Sequence, residues 1–121
     1  MADLTNIELV RNGSVDFTWG NDGAASQTIP LIKRDEKFIL MAQNTDALLA
    51  RIKIAAGAFS GKALGFIYKD LNQDEMSIFG PLSGSRFKNA DGDLEVLITN
   101  ADYSPFSGTI TNVKLSVIEL P

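Results

Sequence analysis

The stretch KDLNQDEMSIFGP, residues 69–81, carries oxygen-bearing side chains in a spacing that could bind a metal ion. Asp70, Asn72 and Asp74 carry oxygen atoms at every second position, which is how an EF-hand calcium loop begins. That loop also needs a glycine at its sixth position and a bidentate glutamate at its twelfth, and this chain has glutamate and proline there. Apolar residues typical of strands flank the stretch. We therefore interpret it as the polar loop of a hairpin, FIYKDLNQDEMSIF.

A second acidic group follows at Asp91, Asp93 and Glu95. Asp93 and Glu95 are two residues apart, so on a strand they share a face and could hold a surface cation. The pair Asp91-Gly92 is at the same time a common hairpin turn before the strand LEVLIT. The turn is the simpler interpretation, and cation binding at either acidic group stays open.

Other catalytic and cofactor chemistry has little support in the composition. The chain has no cysteine and no histidine, which excludes thiolate chemistry and a Ser-His-Asp triad. The segment GAFSGKA at 57–63 is too short between its glycines for a phosphate loop and lacks the final serine or threonine. None of the fifteen acids is singled out as a pair for glycoside hydrolysis. We predict no enzyme activity, no cofactor and no metal.

The charge and hydropathy patterns exclude two further classes of partner. The net charge is −4 and the Lys and Arg residues form no basic stripe, so no nucleic-acid partner is predicted. The N-terminus has no continuous apolar segment of the kind a signal peptide needs. No apolar run approaches the ~20 residues that span a bilayer. We expect a protein made in the cytoplasm, without a signal peptide or a membrane partner.

Period-two alternation, broken repeatedly by turn residues, dominates the chain. Its length of 121 residues fits one domain, 1–121. The pattern predicts an all-β fold, a single antiparallel β-sandwich of about eight to nine strands, with jelly-roll and immunoglobulin-like strand orders both open. The predicted strands are 5–10, 15–19, 28–32, 38–43, 51–55, 64–68, 76–79, 94–99 and 109–120.

Several local features go with these strands. Asn12-Gly13 predicts a tight turn that pairs strand 15–19 with strand 5–10. Pro30 suggests an edge strand, and the continuous apolar run 38–43 suggests a strand buried on both faces. Asp46 is placed to cap a short turn of helix over 46–50.

Eight of the ten aromatic residues fall into two predicted groups. Four lie inside predicted strands and are expected in the core: Phe17, Phe38, Phe66 and Phe79. Four others lie at strand ends or in loops, where aromatic side chains can anchor a protein interface or stack on sugars. These candidate interface residues are Trp19, Phe59, Tyr103 and Phe106.

Several segments together resemble a known family. FILMAQNT, RIKIAAG, GPLSGSRFKNADGDLEVLIT and TNVKLSVIELP resemble the small β-rich proteins that decorate the capsids of tailed bacteriophages. The shared pattern is a strand, Gln-Asn-Thr, an isoleucine-rich strand and Ala-Gly, and the last strand ends in Leu-Pro. The resemblance extends from about Ile7 to Pro121.

The resemblance implies a function without catalytic residues. Such proteins are similar to cementing proteins, which sit on the lattice of the major capsid protein, often as trimers. It implies a virion protein that binds the outer capsid surface and stabilises it, with the major capsid protein as partner. The alternative is a β-sandwich module of a phage head or tail fibre that recognises a host glycan, with Trp19, Tyr103 and Phe106 as its platform.

Overall fold

The computed structural model describes residues 2–3, 7–20, 24–30, 37–59 and 64–121. In chain order these residues form nine strands, one helical turn and one 3-10 turn. The elements are β1 (Ala2–Asp3), β2 (Ile7–Glu8), β3 (Ser26–Pro30), β4 (Phe38–Asn44), β5 (Ala50–Ile54), β6 (Ile67–Leu71), β7 (Met76–Phe79), α1 (Gly84–Phe87), β8 (Asp93–Thr99), the 3-10 turn (Ile110–Asn112) and β9 (Val113–Glu119).

The strands form two sheets, which confirms the predicted β-sandwich. Sheet A has the order β1-β3-β8-β5-β6, and sheet B has the order β2-β9-β4-β7. Pairing is antiparallel throughout, except that the two-residue edge strands β1 and β2 run parallel to β3 and β9. Along the described elements, every connection between consecutive strands changes sheet except the one between β5 and β6.

The core lies between the two sheets and is built by alternation along the central strands. In β4 and β5, every second residue is fully buried and the residues between are half-buried. Complete burial of a leucine or isoleucine side chain contributes roughly 1.5–3 kcal/mol each. The buried apolar residues of the central strands are Phe38, Leu40, Ala42, Ala50, Ile52, Ile54, Leu94, Val96, Ile98, Val113, Leu115 and Val117.

Strand β4 corrects one expectation about burial. The run 38–43 was expected to be buried on both faces, but Ile39, Met41 and Gln43 are only half-buried. In a two-layer sandwich only the inner face of a strand meets the other sheet, so a continuous apolar run does not require two covered faces.

The N-terminal region departs from the predicted hairpin. The predicted turn is present: Asn12 has φ of 58° and Gly13 donates its amide to the Val10 carbonyl at 3.2 Å. Residues 14–20, however, form no strand, so the predicted strand 15–19 is wrong. Of the predicted strand 5–10, only Ile7–Glu8 is a strand, and residues 5 and 6 lie outside the described part. Phe17 is exposed rather than in the core.

The stretch around residue 72 does not form the predicted hairpin. Its flanks are strands, as predicted, but these two strands do not pair with each other. β6 pairs with β5 in sheet A, whereas β7 pairs with β4 in sheet B. The turn between them is closed by a hydrogen bond from the Glu75 amide to the Asn72 carbonyl at 3.1 Å. Asp74 adopts φ of 66°, and its amide donates to the Asn44 carbonyl at 2.6 Å. The stretch therefore connects the two sheets at one corner of the sandwich.

Smaller differences concern the element ends. β3 begins at Ser26, inside the predicted loop, and the predicted residues 31–32 lie outside the described part. Residues 46–48 form a bend instead of a helical turn. The start of the last predicted strand is the 3-10 turn at Ile110–Asn112. Pro30 is the last residue of β3, whose outer neighbour is only the two-residue β1, in accord with a near-edge position.

Candidate interaction surface

The outer face of sheet A carries a group of aromatic and cationic side chains next to one edge. Lys53 of β5 pairs with Tyr68 of β6, and Arg51 pairs with Asp70 in the same register. Ile52 and Ile54 fill the core, so Arg51 and Lys53 point away from it. We call the group formed by Arg51, Lys53, Phe66, Tyr68 and Tyr103 the aromatic cluster.

The three rings of the aromatic cluster contact one another. The Tyr103 ring meets the Phe66 ring edge to face at 5.8 Å between centroids, and the Tyr68 ring at 6.3 Å. Phe66 and Tyr68 are themselves 6.3 Å apart. Edge-to-face packing of this kind contributes about 0.5–1.5 kcal/mol per pair beyond the area it buries. All three rings remain exposed, so they present apolar surface to solvent.

Arg51 lies between the two tyrosine rings. Its guanidinium carbon is 4.1 Å from the Tyr68 centroid and 4.7 Å from the Tyr103 centroid. Its Nε donates to Asp70 Oδ1 at 2.7 Å and its Nη2 donates to Asp70 Oδ2 at 2.9 Å. The hydrogen bond raises the pKa of Arg51 and lowers the pKa of Asp70. The pair is therefore charged at neutral pH and holds the guanidinium plane in place.

Lys53 supplies the second cation of the aromatic cluster. Its ammonium nitrogen is 4.3 Å from the Phe66 centroid and 5.4 Å from the Tyr103 centroid. Within the described ranges, Lys53 makes no ion pair. Its charge is consequently available to an acidic group of a partner, while its stem covers part of the Phe66 face.

The loop at 100–108 holds Tyr103 over the sheet. The Tyr103 amide donates to the Asn100 carbonyl at 3.0 Å, and Tyr103 has φ of 66°, which is uncommon for an aromatic residue. The Asn100 side chain fixes the far side of the loop: its Oδ1 accepts from the Ser107 amide at 3.0 Å and its Nδ2 donates to Ser104 Oγ at 3.0 Å. Hydrogen bonds from Ser104 lower the pKa of Asp102. A strained residue held by such a network is a position where function is often found.

No family model, no curated protein and no solved structure matches this chain. The site is therefore interpreted from its own geometry. In the described part of the chain, no helix is long and apolar enough to cross a membrane.

The four predicted interface residues lie in different places. Tyr103 belongs to the aromatic cluster, and Phe59 is exposed in the loop after β5. Phe106 is half-buried and packs against the core. Trp19 is half-buried beside Phe17, with ring centroids 4.8 Å apart, next to sheet B.

Trp19, Tyr103 and Phe106 therefore do not form the single platform that was predicted for glycan binding. The Thr18 carbonyl accepts from Ser116 Oγ at 3.0 Å, which places Trp19 beside β9 in sheet B, while Tyr103 lies on sheet A. The sequence interpretation also missed Phe66 and Tyr68 as surface residues and placed Phe66 in the core, which is wrong. Their two-residue spacing signals a shared face, but the alternation alone does not say whether that face is covered.

The two acidic groups take part in internal contacts. Asp70 is paired with Arg51, as described above. In the second group, Asn89 Oδ1 accepts the amides of Asp91 at 2.9 Å and Asp93 at 3.0 Å, and Asn89 Nδ2 donates to Glu95 Oε1 at 3.1 Å. Gly92 has φ of 82°, as the predicted turn requires. Among the described residues, no group of three or more acids is close enough to hold a metal ion.

A buried carboxylate stabilises the corner near β5. Asp46 is 8% exposed and accepts hydrogen bonds from the Leu48 amide at 2.9 Å, the Thr109 amide at 2.9 Å and Asn112 Nδ2 at 3.1 Å. The bonds from the Leu48 and Thr109 amides are the main reason that the pKa of Asp46 is lowered. Its donors lie in the bend at 46–48 and in the segment just before β9, so this carboxylate joins these two parts of the chain.

Proposed function

We propose that this protein is a non-enzymatic structural component of a virion, which binds the outer surface of a tailed-phage capsid and stabilises it. Two things support the proposal. One is the resemblance of the segments from Ile7 to Pro121 to capsid decoration proteins. The other, which carries it, is the aromatic cluster: three contacting rings and two cations on the outer face of a sheet.

The aromatic cluster has the composition of a protein-binding surface. Tyrosine and arginine are enriched among the residues that contribute most to interfaces. Arg51 already has its carboxylate partner in Asp70, so covering it leaves no unpaired charge, which would be costly. The rings are held by Arg51 and by the 100–108 loop, so little side-chain freedom remains to be lost on binding.

The proposed partners follow from the same role. The major capsid protein is the binding partner, and the protein acts as a homo-oligomer, with a trimer favoured. Three copies of the aromatic cluster on one trimer would bind a symmetric lattice with avidity even where each contact is weak. The proposed location is the capsid surface of the virion, after synthesis in the host cytoplasm.

The test is binding to capsids of the source virus from which this protein has been removed. Purified wild type is expected to co-sediment with them in stoichiometric amount and to raise their thermal disruption temperature. Tyr103→Ala and Lys53→Glu are each expected to weaken binding by on the order of tenfold or more, as for an interface anchor. Leu64→Ser removes an exposed apolar side chain that is not one of the five residues of the aromatic cluster and serves as the matched control. Failure of the wild type to bind contradicts the proposal.

The second candidate function is glycan recognition by a phage head or tail fibre module. Exposed tyrosine and phenylalanine rings favour it, because sugars stack on aromatic faces. Arg51 and Lys53 already lie over the Tyr68 and Phe66 faces, however, so fewer free faces remain for a sugar. A glycan array with wild type, Tyr103→Ala and Trp19→Ala decides between the two; absence of binding by the wild type rejects the glycan module.

A further inference from the structure

The two cations of the aromatic cluster differ in their partners. Arg51 is joined to Asp70 by two hydrogen bonds, of 2.7 and 2.9 Å. Lys53 forms no ion pair with any residue that the structure describes, and its ammonium nitrogen instead lies over the Phe66 and Tyr103 rings. A partner that covers the cluster therefore covers one matched cation and one unmatched cation.

The two strand neighbours paired with Lys53 are uncharged. On the outer face of sheet A, Lys53 is paired with Leu97 of β8 on one side and with Tyr68 of β6 on the other. Glu95 lies two residues from Leu97 along β8 and shares this face. Its Oε1 accepts a hydrogen bond from Asn89 Nδ2 at 3.1 Å, and it is not within ion-pair distance of Lys53. The strands around Lys53, as far as the structure describes them, supply no counter-ion to it.

Two further acids adjoin the aromatic cluster, and both have other partners. Asp70 faces Arg51, as described above. Asp102 precedes Tyr103 in the loop, and its Oδ1 accepts hydrogen bonds from the Ser104 amide at 3.0 Å and from the Ser104 hydroxyl. Neither carboxylate forms an ion pair with Lys53 in the described part of the chain. An anion for Lys53 must therefore come from a binding partner.

Covering Lys53 without an anion would be costly. The removal of an ammonium group from water is strongly unfavourable unless a carboxylate pairs with it. The nitrogen lies 4.3 Å from the Phe66 centroid and 5.4 Å from the Tyr103 centroid, so a surface that packs on these two rings also reaches the ammonium group. A purely apolar partner would leave the cation unpaired, and a basic partner would add like-charge repulsion from Lys53 and Arg51.

We propose that the surface bound by the aromatic cluster is an acidic segment of the major capsid protein, with an aspartate or glutamate carboxylate paired to Lys53. An apolar side chain beside that carboxylate packs on the exposed rings of Phe66, Tyr68 and Tyr103. This partner chemistry rests on the proposed function, because it names the kind of surface that the capsid presents. Arg51 keeps its own carboxylate partner, so a single carboxylate matches the remaining charge of the cluster.

The overall charge of the protein does not prevent such a contact. The chain has a net charge of −4, which repels an acidic surface at long range. This repulsion is largely screened beyond about 10 Å at 0.1 M salt, whereas a covered ion pair acts at contact and is screened much less. We therefore expect an acidic partner to bind at the aromatic cluster and not at the acidic remainder of the surface.

The experiment uses capsids of the source virus from which this protein has been removed. In one batch, a carbodiimide and glycinamide convert the accessible carboxylates into uncharged amides, and a second batch is mock-treated. Wild type, Lys53→Met and Lys114→Met are titrated against both batches, and co-sedimentation measures the dissociation constants. Methionine keeps an unbranched side chain over the Phe66 ring but removes the charge. Lys114 is half-buried like Lys53 but lies on sheet B, so Lys114→Met is the matched control.

The two changes are expected to act on the same ion pair. Amidation should weaken wild-type binding by on the order of tenfold or more, because it removes the proposed carboxylate. Lys53→Met should bind mock-treated capsids more weakly by a similar factor and should lose little more on amidation, since changes to the two partners of one pair are not additive. Lys114→Met should respond as the wild type does. Lys53→Arg, which restores the charge, should again be sensitive to amidation.

The possible outcomes separate the partner chemistry from the proposed function. Equal losses on amidation for wild type and Lys53→Met would overturn the acidic partner, and so would binding of Lys53→Met to mock-treated capsids as tightly as the wild type. Failure of the wild type to bind mock-treated capsids would overturn the proposed function, and the acidic partner with it. Far-UV circular dichroism checks that every variant is folded, so that weak binding is not caused by unfolding.

Discussion

Arg51 and Asp70 face each other across β5 and β6 and are joined by two parallel hydrogen bonds, of 2.7 and 2.9 Å. The pair does more than join two strands, because the same guanidinium lies between the rings of Tyr68 and Tyr103. Asp70, which the sequence offered as a calcium ligand, thus holds the arginine that packs against the two tyrosine rings. The Arg51 and Asp70 side chains are only 12% and 34% exposed, and their two-bond geometry distinguishes the pair from an ordinary surface ion pair, which contributes little.

Replacing Arg51 with lysine tests that geometry. Arg51→Lys keeps the charge but loses the second hydrogen bond and the flat surface between the rings. We expect a fall of a few degrees in melting temperature, typical of a modest local loss in a domain of this size. Asp70→Asn is expected to act similarly, and the double variant should lose less than the sum of the two. Additive losses would mean that the two side chains do not act together.

A buried and an exposed isoleucine test the alternation of the strands. Ile52 is fully buried in β5, whereas Ile78 is exposed in β7. Ile52→Ala is expected to lower the free energy of unfolding by about 2–5 kcal/mol through lost transfer energy and a cavity. Ile78→Ala should change it by no more than about 0.5 kcal/mol in dilute solution, where the protein is not self-associated. Urea titration measures both, and equal losses would contradict the assigned inner and outer faces.

Substitution of Gly57 tests how closely the backbone at Gly57 approaches the backbone at Lys88, just after α1. A methyl group at Gly57 would overlap the carbonyl oxygen of Lys88, and the backbone there cannot yield as a side chain tip can. The Gly57 amide also donates to the Arg86 carbonyl at 2.7 Å. Gly57→Ala is expected to cost roughly 2 kcal/mol or more, a loss typical of overpacking.

Gly92→Ala is the control for Gly57→Ala. Gly92 has open space around it but a φ of 82°, so alanine there costs only the left-handed backbone, about 1–2 kcal/mol. Urea titration at one pH ranks the two variants. A smaller loss at Gly57 than at Gly92 would refute the close approach.

Stability should fall in acid through Asp46. Its pKa is lowered in the folded state from the ordinary value near 3.9, so the folded protein holds the charged carboxylate more strongly than the unfolded chain does. The stabilisation is fully present above about pH 5 and is lost as the pH falls below about 4, through the lowered pKa. Asp70 has a lowered pKa as well and adds to the loss in the same direction.

Asp46→Asn separates the contribution of Asp46 from that of other acids. Free energies of unfolding at pH 7, 5 and 3 are expected to fall less steeply in Asp46→Asn than in the wild type, although the variant is less stable at pH 7. Asp16→Asn, at an exposed residue outside the two sheets, is the matched control for the removal of one carboxylate. Identical slopes for wild type and Asp46→Asn would exclude Asp46 as a source of acid sensitivity.

The sequence by itself determined that this protein is a β-sandwich and where several of its parts lie. Alternation predicted the residues of β7, 76–79, and the central strands within a few positions. The turns at Asn12 and Gly92 followed from residue types that accept positive φ. These features are local, so the sequence contains what is needed to predict them.

The tertiary structure decided which faces are covered and which strands share a sheet. The two-residue alternation predicts that Phe66 and Tyr68 share a face of the sheet, and that Leu40 and Ala42 do so as well. Only the packing of the two sheets buries Leu40 and Ala42 and leaves Phe66 and Tyr68 exposed. The turn at 72–75 could close a hairpin or join two sheets, and the pairing of β7 with β4 made it a connection between sheets. Which strands pair depends on contacts between residues far apart in the sequence, and the hydrophobic pattern within one strand does not determine them. For the same reason the sequence grouped Tyr103 with Trp19 and Phe106, whereas the fold placed it with Phe66, Tyr68, Arg51 and Lys53.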